Sequence, residues 1–285
     1  MTARVAIVTG GLRGLGRAMA LGLARAGHRV IAVGHIAADV ERMGVEIAAA
    51  LPGDRVIPLV ADLRRPADCD RVVLTAEKKF GGLDVLVNNA GLTLTYIDPE
   101  RGRRAAPPKF WEASDEVVQA VMDTNYVAAD QMARRAAPRM VARGWGRIVN
   151  VTTMLTTMNR AGFCPYGASK AALEMATEVW AKELAGTGAT ANCLNPGGGA
   201  NTDGIAPEIR DASREGRIPK LVEPEEMVPP LLWLVSPAAD AVNGYRFDAN
   251  RWDASLPPEE AARRSGRRAG FVLHPEDASI SADRR

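Results

Sequence analysis

Tyr166 and Lys170 stand four residues apart in the run Tyr166-Gly167-Ala168-Ser169-Lys170. On a helix that spacing puts a phenol and an ammonium on one face. A phenol with a pKa of about 10 is a poor acid–base catalyst at neutral pH, and a neighbouring cation favours its ionised form. The pair therefore suits proton transfer to or from a substrate oxygen. The same spacing also fits a partly buried aromatic beside a Lys170–Glu174 pair on a solvated face. Thirteen residues before Tyr166, the run Asn150-Val151-Thr152-Thr153 ends in a hydroxyl. Such a group at the carboxyl end of a sheet strand faces the crevice where open α/β sheets bind ligands. Asn88-Asn89-Ala90-Gly91 ends another apolar run in the same way.

A second group of residues is built for phosphate. Thr9-Gly10-Gly11-Leu12-Arg13-Gly14-Leu15-Gly16 follows the first apolar run and opens a helical one. Glycines there permit a tight turn and close approach of a pyrophosphate, and the helix N-terminus offers free N–H groups. The run lacks the Gly-Lys-Ser/Thr ending of a mononucleotide loop, which weighs against an NTPase. A mere tight strand–helix turn is its bland reading. The next strand ends in Val33-Gly34-His35, with no carboxylate before Asp39. An acid there would hold the ribose hydroxyl of NAD, whereas a base accommodates the phosphate of NADP. His35 and Arg13 therefore favour NADP(H), with NAD(H) as the alternative.

The elements that must position these groups alternate along the chain. Strands are predicted at Arg4–Gly10, Arg29–Gly34, Arg55–Asp62, Leu83–Ala90, Gly146–Thr153, Ala189–Asn195 and Gly244–Phe247. Helices are predicted at Gly14–Ala26, Ala38–Leu51, up to Phe80, from Ser114, at Pro165–Leu184 and at Glu225–Val235. Continuous Val/Ile/Leu strands are buried on both faces, and strand–helix alternation gives right-handed crossovers. The expected architecture is a Rossmann-type, doubly wound parallel α/β sheet with helices on both faces, forming one domain over 1–253. Leu92–Trp111 is predicted as a rim loop and Gly197–Pro224 as a lid. Residues 254–285, with six Arg against five acids, are predicted as a solvated tail or one that wraps a partner subunit.

The remaining composition excludes more than it adds. The 285 residues carry a net charge of +2, which supports neither a nucleic-acid nor a membrane-surface partner. No apolar run reaches the roughly 18 residues of a spanning helix. Cys69, Cys164 and Cys193 match no zinc spacing and no disulfide framework, so reduced thiols and a cytoplasmic location are expected. His28, His35 and His274 are scattered, so no metal site is expected.

Taken in order, Thr9-Gly10-x-x-x-Gly14-x-Gly16, Asp62, Asn88-Asn89-Ala90-Gly91, Asn125, Tyr166-x-x-x-Lys170 and Asn195-Pro196-Gly197 resemble the short-chain dehydrogenase/reductase family over Arg4 to about Phe247. The resemblance implies a sheet of about seven strands and assembly as a homotetramer or homodimer. It implies hydride transfer between NAD(P)(H) and a small carbonyl or alcohol substrate. It assigns Tyr166 as the acid/base. Lys170 would bind the nicotinamide ribose and tune Tyr166, Thr153 would hold the substrate oxygen, and Asn125 would hold a relay water. Asp62 and Leu63 would contact the adenine. Asn88, Asn89, Ala90 and Gly91 would line the cofactor. Pro196, Gly197 and Thr202 would pass beside the nicotinamide. Asn88 and Asn125 could instead satisfy backbone groups, and Asp62 could cap a turn. The sequence departs from the family pattern in having Thr153 where Ser is usual and Thr202 one residue late, and in lacking Gly-Gly after the last strand. The first departure leaves open a weakly active or inactive dinucleotide-binding regulator of the same fold.

Overall fold

The strands lie in the order β3-β2-β1-β4-β5-β6-β7-β8, so the chain reverses direction across the sheet between β1 and β4. The computed structural model describes residues 3–51, 55–202 and 204–271. Its elements are β1 (Val5–Thr9), α1 (Gly14–Arg25), β2 (Arg29–Gly34), α2 (Ala37–Ala50), β3 (Val56–Val60), α3 (Pro66–Phe80), β4 (Val85–Asn88), the short α4 (Leu94–Ile97) and α5 (Asp115–Met122). A single π-helical turn, Asp123–Val127, joins α5 to α6 (Ala128–Ala142). The chain continues through β5 (Gly146–Val151), the short α7 (Leu155–Met158), α8 (Tyr166–Glu183), β6 (Ala189–Asn195), α9 (Pro207–Arg214), α10 (Val228–Leu234), β7 (Tyr245–Asp248), α11 (Pro258–Ser265) and β8 (Gly266–Arg268).

Strands β1 to β7 are parallel, as their continuous apolar composition predicts. Successive residues point to opposite faces and build two cores. Ala6, Val8, Val30, Ala32, Val87, Val149 and Leu194 pack under α1 and α10. Ile7, Ile31, Val33, Leu86, Ile148 and Ala191 pack under α3 and α6. This is the doubly wound fold expected from the alternation.

The sheet goes one strand further than the seven expected. Gly266–Arg268 pairs antiparallel with β7, in the register Tyr245↔Arg268 and Phe247↔Gly266. Helix α11 leads into it with Ala261, Ala262 and Ser265 buried. The first part of the segment read as a tail is thus ordered against the sheet, while 272–285 lie outside the described residues. Among the described residues no helix is long and apolar enough to cross a membrane.

The segment predicted as a rim and the one predicted as a lid meet. Thr95 Oγ1 donates to the Gly204 carbonyl at 2.7 Å, and Arg103 lies 3.9 Å from Glu208. Between them is a cavity of about 310 Å³ walled by Thr95, Pro99, Ile205 and Pro207. On its other flank the rim segment is fixed by Arg101, which donates to the Gly162 carbonyl at 2.6 Å.

Candidate active site

At the end of β1 the chain makes a pocket that only glycine can line. Gly10 and Gly14 have φ of 60° and 53°, a region side chains disfavour. A Cβ on Gly16 would strike the Gly10 carbonyl and the Asn89 amide. Leu12 turns inward to pack on Gly34. Helix α1 starts here with no side-chain cap, so its first N–H groups point into the cradle. An anionic pyrophosphate fits that donor set. Thr9 and Asn89 tie the cradle to β4. Thr9 Oγ1 accepts from the amides of Asn89 and Ala90, at 2.9 and 3.0 Å, and Asn89 Nδ2 donates to the Thr9 carbonyl at 3.0 Å.

The periphery of the cradle holds the other predicted binding residues. His35 is exposed at the end of β2. Arg13 lies 3.9 Å from Asp39, which also takes Arg42 at 2.5 Å. Sequence reasoning passed over Asp39 as too late in the chain, yet α2 carries it back beside Arg13. Asp62 is engaged by Arg64, at 2.9 and 2.7 Å, and this hydrogen bonding holds its carboxyl down at about 2. Leu63 is buried in the core behind it. Thr202 stands on the opposite rim, its methyl 3.3 Å from where a Gly14 Cβ would lie. Asn195 Oδ1 accepts from the Gly197 amide at 2.9 Å and fixes the turn after Pro196.

Across the reversal point, α8 presents Tyr166, Lys170 and Glu174 on one face at intervals of four. Lys170 is buried, and its ammonium donates to the Val151 carbonyl at 2.8 Å. Burial pulls its pKa from 10.5 to about 8. Tyr166 is also desolvated, which raises its phenol; hydrogen bonding with Thr153 acts the other way. Neither Lys170 nor Glu174 lies on a solvated face: both are buried, and Glu174 pairs with Arg246.

Gly91 closes the gap between the two halves. A Cβ there would lie 3.2 Å from Asn125 Oδ1 and 3.4 Å from Lys170 Nζ. Asn125 sits in the π-helical turn, fully buried. Its Oδ1 accepts from the Leu92 amide at 2.7 Å, and its Nδ2 donates to the Leu92 carbonyl and to Ser169 Oγ at 3.1 and 2.9 Å. The side chain therefore staples the β4 exit to α8. Asn88 donates to Asn150 at 2.9 Å, and Asn150 to Thr177 at 2.8 Å, inside the sheet–α8 interface. Arg101 and Arg160 flank the Phe163 ring at 4.3 and 5.1 Å, on the segment between Thr153 and Tyr166.

The short chain dehydrogenase family model matches residues 4–212. The chain belongs to that family. As a short-chain dehydrogenase/reductase it is an NAD(P)-dependent oxidoreductase. It is 35% identical over 263 residues to an NADPH-dependent aldehyde reductase-like protein of Arabidopsis thaliana, covering 88% of this chain and 94% of that one. It is 36% identical over 252 residues to the 2-dehydro-3-deoxy-D-gluconate 5-dehydrogenase of Escherichia coli, covering 85% and 92%. Among solved structures it is similar to the 3-ketoacyl-(acyl-carrier-protein) reductase of Brucella melitensis in complex with NADH. That match has a TM-score of 0.72 and 28% identity, and it covers 86% of this chain and 96% of that one.

Reading the sequence missed the group that backs the site. The sequence reading gives Glu174 only as a surface partner for Lys170 and is silent on Arg246 and Asp248, although Glu174 continues the four-residue spacing of Tyr166 and Lys170, and an arginine inside a buried strand needs a partner.

Proposed function

We propose that this chain catalyses NADP(H)-dependent interconversion of a small carbonyl compound and its alcohol. The observation that carries the proposal is that α8 sets Tyr166 one helical turn before the buried Lys170 ammonium, which grips the exit of β5 two residues before Thr153 and lies beside Gly91 and Asn125. Gly10, Gly14 and Gly16, with the start of α1, would hold the pyrophosphate, and Ala90 and Gly91 would line the route to Tyr166. Bound there, the nicotinamide would supply or accept the hydride. Thr153 and Tyr166 would donate to the carbonyl oxygen and hold it in place. Tyr166 would then deliver its proton to that oxygen as negative charge develops. Lys170, poised near neutrality, would anchor the ribose hydroxyls and offset the charge left on the phenolate.

NADP(H) is favoured over NAD(H) because Arg13 and Arg42 together outweigh Asp39 beside the exposed His35. Relatives named for NADPH-dependent aldehyde reduction support that preference. The guanidinium pair around Phe163 favours a substrate with an anionic group. The test is Tyr166→Phe, assayed by NADPH oxidation across ketones, aldehydes, sugars and keto acids. Turnover should fall at least a hundredfold with NADPH binding nearly unchanged; equal turnover would remove the mechanism.

A further inference from the structure

The carbonyl of Thr153 lies beyond the last ladder bond of β5, and it is held from the far side of the sheet. Arg246 Nη2, on β7, donates to it at 2.8 Å. Among the described residues the Thr153 main chain makes no other hydrogen bond. Lys170 grips the carbonyl of Val151, two residues earlier, in the same manner. Two cations thus fix the exit of β5, one from α8 and one from β7.

Arg246 is itself held by a buried partner. It is completely buried, as is Glu174, and their Nη1–Oε1 separation is 3.1 Å. Among the described residues Arg246 Nε and Glu174 Oε2 nevertheless lack hydrogen-bond partners. A buried pair with two unsatisfied atoms is a poor source of stability compared with an apolar pair of similar size. Its geometry serves position instead. Cys193 separates Arg246 from Asn150 in register across the sheet, so only a side chain as long as arginine spans from β7 to Thr153.

The C-terminal segment completes the arrangement. Gly270 N donates to Glu174 Oε1 at 3.3 Å, just past β8. Arg267, on β8, donates to Asp248 Oδ2 at 2.7 Å. Asp248 Oδ1 accepts from Asn195 at 2.7 Å, and Asn195 in turn holds the Gly197 amide. Arg246 and Asp248 lie on one face of β7, so the two charges serve opposite walls of the site: Thr153 and the turn at Gly197.

We propose that Arg246 is a positioning residue that sets the Thr153 hydroxyl against Tyr166, and that β8 with the turn after it is a working part of the site. The inference rests on the assignment of Thr153 as a donor to the substrate oxygen. A displacement of about 1 Å at such a group is enough to cost tenfold to a hundredfold in rate.

The experiment uses the full chain. Arg246→Lys keeps the charge facing Glu174 but loses the fork that reaches both partners. Glu174→Met with Arg246→Met removes the pair together and leaves no buried charge unpaired, so the fold survives even where a single substitution fails. In each, kcat should fall about tenfold or more while the Kd for NADPH stays within about threefold. Introduced into Thr153→Ala, the same changes should cost less than about twofold, because the group they position is gone. Full kcat in a folded variant, or an undiminished loss in the Thr153→Ala background, would overturn the proposal. Crystal structures of the unaltered chain and the double Met variant supply a readout free of turnover. Thr153 Oγ should move away from the Tyr166 hydroxyl by about 1 Å or more; an unmoved Thr153 overturns the positioning role even if no carbonyl substrate is found. Failure of the unaltered chain to turn over any carbonyl would instead count against the catalytic reading.

Discussion

Lys170→Met should make the protein more stable at neutral pH while ending turnover. Burial draws the Lys170 ammonium from 10.5 in the unfolded chain to about 8 in the folded one. At pH 7 the side chain is mostly charged in both states, so this depression costs the folded state roughly 3 kcal/mol. Methionine follows a similar unbranched path without the charge. Against that gain stands the lost hydrogen bond to the Val151 carbonyl, roughly 1–2 kcal/mol. The variant should therefore gain about 1–2 kcal/mol at pH 7. As pH rises from about 8 towards 10.5, the folded protein has shed its proton while the unfolded chain still holds one. The stability of the unaltered protein then climbs relative to the variant, by about 2 kcal/mol between pH 7 and pH 9.5. Urea unfolding of both proteins, without nucleotide, at these two pH values reads the difference directly. A gap that does not change with pH would refute the reasoning, as would a variant less stable at pH 7.

Other outcomes follow from the same geometry. Gly16→Ala puts a methyl into the Gly10 carbonyl and the Asn89 amide, so NADPH affinity should drop at least tenfold and Tm should fall, as read by nucleotide fluorescence and calorimetry. Arg13→Ala removes one of the cations facing Asp39, and the ratio of kcat/KM for NADPH over NADH should fall several-fold in steady-state assays. In the nucleotide-free protein the Tyr166 phenol should ionise above the ordinary range because burial raises it, and Thr153→Val should push it higher by removing the contact that lowers it. Ultraviolet difference titration against Tyr166→Phe isolates that signal, and a phenol ionising below the ordinary range would contradict the burial.

Most of the sheet was legible because its central strands are short runs of Val, Ile and Ala that no solvent-facing element would carry; Val5–Thr9 and Gly146–Val151 fall inside their predicted bounds. The cradle and the Tyr166–Lys170 spacing were legible because glycine and helical periodicity leave local marks. What escaped was non-local. Gly266-Arg267-Arg268 has neither apolar alternation nor turn signals, and it becomes a strand only because β7 offers it an open edge and Asp248 takes Arg267. Arg246 and Glu174 are 72 residues apart, and nothing local says that either is buried. Four-residue spacing predicts that Tyr166 and Lys170 share a face, but not that the Lys170 ammonium would donate to the Val151 carbonyl or be drawn down by burial.

The short antiparallel strand β8 has a consequence for self-association. Without it the outer rim of β7 would present unpaired amides and carbonyls, an invitation to another extended chain. With it, the rim among the described residues is three residues long, two of them arginines, too short and too charged to template further pairing. Growth of the sheet from one molecule into the next is blocked on that side, so copies of this chain that meet there must do so through side chains rather than through a shared ladder.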